Sequence, residues 1–131
     1  MNMYNKLNAK SLIVWEIPGN VEYGQIENFF ISVVDKFIKS NKYRISSFDE
    51  RIKKPIKIKR LIRIKHQVRS LSYHVITFST EVHAQIAKKI THKNLFGDNM
   101  IWTEFTNSFV DADIKRYDES HRDSIKSKGA V

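Results

Sequence analysis

The chain has 131 residues, 41% hydrophobic and 11% aromatic, with 23 Lys and Arg against 14 Asp and Glu and a formal net charge of +9. That length fits one compact domain, and that apolar content suffices for a core, which excludes a wholly disordered chain. Absence of cysteine excludes disulfides, thiolate zinc sites and thiol nucleophiles and fits an intracellular protein; no apolar run approaches the roughly 18 to 20 residues of a membrane span.

Residues 1–10, MNMYNKLNAK, form an N-terminal extension without the apolar stretch of a secretory leader. Ser11 to Ile17, SLIVWEI, is rich in β-branched residues and is stopped by Pro18-Gly19, which favours a strand over a buried helix. A loop follows over Asn20 to Gly24. In QIENFFISVVDKFIKSN, the residues Ile26, Phe29, Phe30, Val33, Val34, Phe37 and Ile38 recur at steps of three and four, one continuous helical stripe. Its phenylalanines are read as core.

Ser40 to Pro55 reads as a long basic connection. Between Lys42 and Arg69 stand eleven basic residues and two acids, Asp49 and Glu50, so this stretch carries the whole charge imbalance. An excess confined to one segment is the footprint of a polyanion-binding surface; a solvated charged face is the plainer alternative. Within it, IKIKRLIRIKH alternates with period two. Ile56, Ile58, Ile62 and Ile64 would share an apolar face interrupted by Arg60, with Lys57, Lys59, Leu61, Arg63 and Lys65 on the other.

Gln67 to Ser70 turns the chain into a third strand, LSYHVITF. Ser79 or Thr80 can cap a helix over EVHAQIAKKI, with Val82, Ile86 and Ile90 on one side. Asn94 to Asn99 contains the turn signal Phe96-Gly97-Asp98, and MIWTEF is the last strand. Residues 107–131 form a polar tail that is either mobile or, over IKRYDESHRDSI, a short helix; folded back over the sheet, it would cover both tryptophans. The element order is β-α-β-β-α-β. The fold class is therefore α+β, a ferredoxin-like sandwich whose four-stranded antiparallel sheet carries two helices on one face and leaves the other face open.

Over Ser11 to Thr106 the chain resembles the RNA recognition motif (RRM) family. Leu12 to Pro18 stands where that family has its first-strand hexamer, and Leu71 to Phe78 where it has the third-strand octamer K/R-G-F/Y-G/A-F-V-x-F/Y. The passage from Phe78 to Phe105, with Ala84 and Ala87 in its helix and a leucine-glycine turn, follows the family's cadence. The octamer departs from the pattern at Leu71, Ser72 and His74. Of its two base-stacking aromatic positions Tyr73 is kept and the other is Val75, while the hexamer's aromatic position is Ile13. The resemblance implies an RRM-like domain over residues 11–106 that binds nucleic acid, RNA foremost.

Strand alternation places Ile13 and Trp15 on one face, with Tyr73, Val75 and Thr77, and with Trp102 and Glu104; Ile76, Phe78, Ile101, Thr103 and Phe105 turn to the helices. The candidate RNA-binding set is Tyr73, Trp15, Trp102, Ile13 and Val75, flanked by Lys57, Lys59, Arg63 and Lys65, with Arg51, Lys53 and Lys54 as a phosphate-binding loop. Rings there would stack on unpaired bases and cations would hold phosphates.

No catalytic constellation stands out. His66, His74, His83, His92 and His121 lack zinc-ligand spacing, and His74 is read as a packed core residue. The carboxylates show no acid/base pairing, and the four glycines never cluster into a phosphate loop. No enzyme, metal or cofactor is expected. Three readings remain open: single-stranded RNA binding on the open sheet, a protein-interaction module using helices, tail or a covered sheet, and a ribonucleoprotein component gripping structured RNA by its backbone.

Overall fold

The structure is a computed structural model describing residues 10–40, 50–65, 72–106 and 108–129. In chain order it runs β1 (Ser11–Trp15), α1 (Tyr23–Ser40), a short 3-10 turn (Glu50–Lys53), β2 (Ile58–Lys65), β3 (Ser72–Phe78), α2 (Glu81–Thr91), β4 (Asn94–Phe96), β5 (Asn99–Phe105) and α3 (Ser108–Gly129). The strands pair antiparallel in the order β2-β3-β1-β5-β4.

The core lies between one face of this sheet and helices α1 and α2. Leu12, Val14, Leu61, Ile76, Phe78 and Ile101 point from the strands toward Ile26, Phe30 and Val34 of α1 and Val82, Ala84, Ile86 and Ala87 of α2. The periodic stripe on α1 packs as its spacing requires, with Phe29, Val33, Phe37 and Ile38 at the margin. Thr80 is the N-cap of α2, and its hydroxyl accepts from the His83 N–H at 3.2 Å. The chain leaves α2 through Lys93, whose φ of 60° lies in the left-handed region, and the Lys93 N–H donates to the Ile101 carbonyl at 2.9 Å.

Three features differ from the sequence expectation. The sheet has five strands, because Asn94–Phe96 pairs with Asn99–Ile101 across Gly97, which adopts the left-handed φ of 63° such a tight turn needs. A register shift between Ile58 and Arg60 reverses the alternation of β2. Ile56 and Ile58 therefore pack against the helix-side core, whereas Ile62 and Ile64 reach the opposite face. Leu61, assigned to a basic face, is buried. The third feature is α3: the tail takes its helical, folded-back alternative, longer than the short helix expected, and lies on the sheet face otherwise left open, giving three α-helices among the described residues.

His74 pairs with Val14 and Arg63 on the helix side and is only 2% exposed, with the Tyr23 ring edge-on at 6.2 Å. Burial, and secondarily the Arg63 charge, lower its pKa to about 4. An unfolded imidazole takes up its proton near pH 6.5 and the folded one only near pH 4, so acid favours unfolding throughout that window. Above pH 6.5 the contribution is intact. Urea unfolding at pH 5 is expected to give a stability about 1–2 kcal/mol below that at pH 7. In His74→Leu that difference should shrink, and an equally steep pH dependence there would assign it to other groups.

Candidate nucleic-acid interface

The registers bring the three expected rings into one row. Trp15 stands opposite Tyr73 on one side and Trp102 on the other, and Ile64 extends the row to β2. The next row is Ile62, Val75, Ile13 and Glu104. Trp15 and Tyr73 are in contact, with centroids 4.8 Å apart and planes tilted by 47°.

The open face, however, is closed over most of its width. On α3, Val110, Ile114 and Tyr117 recur at steps of four and three, and they lie against Ile13, Ile62, Ile64, Tyr73, Val75 and Trp15. Burying each large apolar side chain is worth about 1.5–3 kcal/mol relative to exposure. Two polar contacts set the helix in register. The Tyr73 hydroxyl donates to Asp113 at 2.7 Å, and the Arg60 guanidinium pairs with both oxygens of Asp118. Arg60 also lies 5.8 Å from the Tyr117 centroid. Burial, then the hydrogen bond and charge of Asp113, raise the Tyr73 pKa well above the ordinary phenol value, against a smaller opposing effect of Arg116.

The expected base-contacting residues therefore separate. Tyr73, Ile13 and Val75, expected on an open surface, are at most 2% exposed and lie beneath α3. Trp15 is half-buried at the margin of the helix. Trp102 is 41% exposed, since β5 lies beyond the reach of the α3 stripe. Its indole has the His92 ring edge-on at 5.4 Å and the Lys93 ammonium 5.1 Å from its centroid. The His92 Nδ1 accepts the Thr103 N–H at 3.1 Å, which holds that imidazole in place. Met100, on the same face two residues away, and Leu95, its partner across the hairpin, are also exposed.

The cations fall on the far edge, because β2 is an outer strand of the sheet. Lys57, Lys59, Arg63 and Lys65 are exposed, as are Lys53 and Lys54 before the strand; Arg51 lies in the 3-10 turn and its side chain is outside the described residues. They do not form one face. Lys59 sits at the register shift, and Arg63 shares the side of Leu61, with its guanidinium close over Gly19 and donating to Ser72 Oγ at 3.3 Å. Among the described residues, no carboxylate is paired with Lys54, Lys57, Lys59 or Lys65. Arg60 points to the opposite face and is neutralised by Asp118. Most of the expected connection Ser40 to Pro55 and the whole of the expected turn Gln67 to Ser70 lie outside the described residues.

Sequence reasoning missed Asp113, Asp118 and Lys93. The spacing of Val110, Ile114 and Tyr117 was the available signal for the covering helix. Among the described residues no helix is long and apolar enough to cross a membrane, and no group of three or more His, Asp or Glu is placed to hold a metal.

If the Tyr73–Asp113 bond fixes α3 on the sheet, Tyr73→Phe should cost about 1–2 kcal/mol in urea unfolding. Asp113 remains partly solvated and paired with Arg116, so no stranded charge adds to that cost. In Tyr73→Phe/Asp113→Ala, the two losses should be markedly less than additive. Full additivity would show the bond to be energetically silent.

No family model matches the chain, and no curated protein matches its sequence. Solved structures that it resembles include RRM domains. Against the RRM3 domain of Mip6 the TM-score is 0.52 at 15% identity, over 76% of this chain and 95% of that one. A second structure of that domain gives 0.53 at 16% identity over the same shares. The first two RRM domains of yeast poly(U)-binding protein, Pub1, give 0.50 at 10% identity over 75% of this chain and 46% of that chain. The chain thus has an RRM-like α+β fold, with a five-stranded antiparallel sheet and three α-helices among the described residues.

Proposed function

We propose that this chain binds nucleic acid, and within that class single-stranded RNA, by holding phosphates along the basic β2 edge while bases reach the part of the sheet that α3 leaves open. The observation that carries this reading is the cationic edge strand. The segment from Lys42 to Arg69 accounts for the net charge, and Lys57, Lys59, Arg63 and Lys65 stand exposed along one border of an RRM-like sheet. Phosphate neutralisation by such a row releases condensed counterions and provides affinity without sequence preference. Trp102, the exposed ring of the expected three, supplies a stacking surface, with Lys93 beside it. Tyr73, Ile13 and Val75 act in this reading as the seat of α3.

A second reading, a protein-docking module on the same scaffold, is favoured by the covered sheet and by Leu95, Met100 and Trp102 lying exposed on one face of the β4–β5 hairpin. Protein purified free of nucleic acid at low salt, with no affinity for RNA, would select it.

Titration of a short labelled oligouridylate at several salt concentrations tests the first reading. Affinity should fall steeply with salt, and replacing Lys57, Lys59 and Arg63 by alanine should reduce the log–log slope by about 2. Trp102→Ala should weaken binding by about 1–3 kcal/mol at fixed salt with little change in stability. Failure of the wild-type chain to bind at submillimolar concentration and low salt would end this reading.

A further inference from the structure

Where α3 crosses the end of β2 there is a cleft of about 200 Å3, lined by Ile64, Lys65, Arg116, Tyr117, Ser120 and His121, with Asp113 at its wall. The Tyr117 and His121 rings are stacked, with centroids 3.8 Å apart and planes within 22°. The His121 Nδ1–H donates to the Tyr117 carbonyl at 2.9 Å. Stack and hydrogen bond together hold the imidazole in one orientation while His121 stays exposed. A ring fixed in advance loses little conformational entropy when a ligand stacks on it. The carboxylate at the wall is already engaged, since one Asp113 oxygen accepts from Tyr73 at 2.7 Å and the other from Arg116 at 2.5 Å. Lys65 lines the rim of the same space and has no carboxylate partner among the described residues.

We propose that this cleft holds one nucleotide of a bound single strand, its base stacked on His121 and its phosphate between Lys65 and Arg116. The proposal rests on the RNA-binding reading above and adds a site to it: α3 covers the Tyr73 ring on the sheet and offers a ring of its own beside the basic edge. Its aromatic and cationic partners match what unpaired nucleotides require.

The test uses the full chain, an oligouridylate and free uridine monophosphate, with binding followed by amide NMR and by fluorescence. The oligonucleotide is expected to shift the amides of Lys65, Arg116, Ser120 and His121 and to bind at least tenfold tighter than the mononucleotide. His121→Ala and Arg116→Gln should each weaken it about tenfold while unfolding at the wild-type temperature, and His121→Phe, which keeps a ring, should retain most of the affinity. Oligonucleotide binding that leaves these amides unmoved and both variants unaffected overturns the cleft while sparing the RNA reading. Equal losses in His121→Ala and His121→Phe overturn the stacking role. A mononucleotide binding as tightly as the oligonucleotide overturns assignment to a strand. No binding by the wild-type chain removes both proposals together.

Discussion

The contact on which the rest of the structure depends is the seating of α3 on the second face of the sheet. Without that helix, Ile13, Ile62, Ile64, Tyr73 and Val75 would lie bare across three strands, and an apolar area of that extent is rarely left in water. The helix answers it with a narrow stripe of Val110, Ile114 and Tyr117, and its other positions are largely polar. Such a stripe is too thin for a helix to be stable alone, so α3 and the sheet face depend on each other. The Asp113–Tyr73 and Asp118–Arg60 contacts add direction to an otherwise unspecific apolar fit.

A sheet covered over most of both faces leaves exposed rings and cations at its borders. One border carries the cations of β2 and the other the exposed Trp102 beside Lys93. Three strand spacings of about 4.8 Å separate them, with α3 between. The lysines also have a structural effect. An edge strand presents unpaired backbone groups, and charge there discourages pairing with another chain. One set of residues thus protects the edge and leaves it positively charged.

The irregularity in β2 explains why both faces can be apolar. A uniform two-residue period would have put Ile56, Ile58, Ile62 and Ile64 on a single face. The register shift before Arg60 sends the first two toward α1 and α2 and the last two toward α3, so four isoleucines serve two cores. Arg60, an apparent interruption of an apolar face, becomes the partner of Asp118.

The periodicity of Ile26 to Ile38, the strand composition of Ser11 to Ile17, the Thr80 cap and the alternation of LSYHVITF are local signals. They determined the helices, the inner strands and the row of Tyr73, Trp15 and Trp102 across the sheet. Local signals suffice there because propensity, period and turn chemistry all favour the same conformation. The additional strand Asn94–Phe96 escaped because three residues carry too little period to separate strand from turn. The β2 register shift and the position of the last helix were decided only by tertiary contacts. Val110, Ile114 and Tyr117 read alone as a weak stripe in a polar tail, and whether such a stripe docks depends on an apolar surface assembled from β1, β2 and β3, far away in sequence. The chain's composition therefore determined which rings and cations it owns, and the folded packing decided which of them meet water.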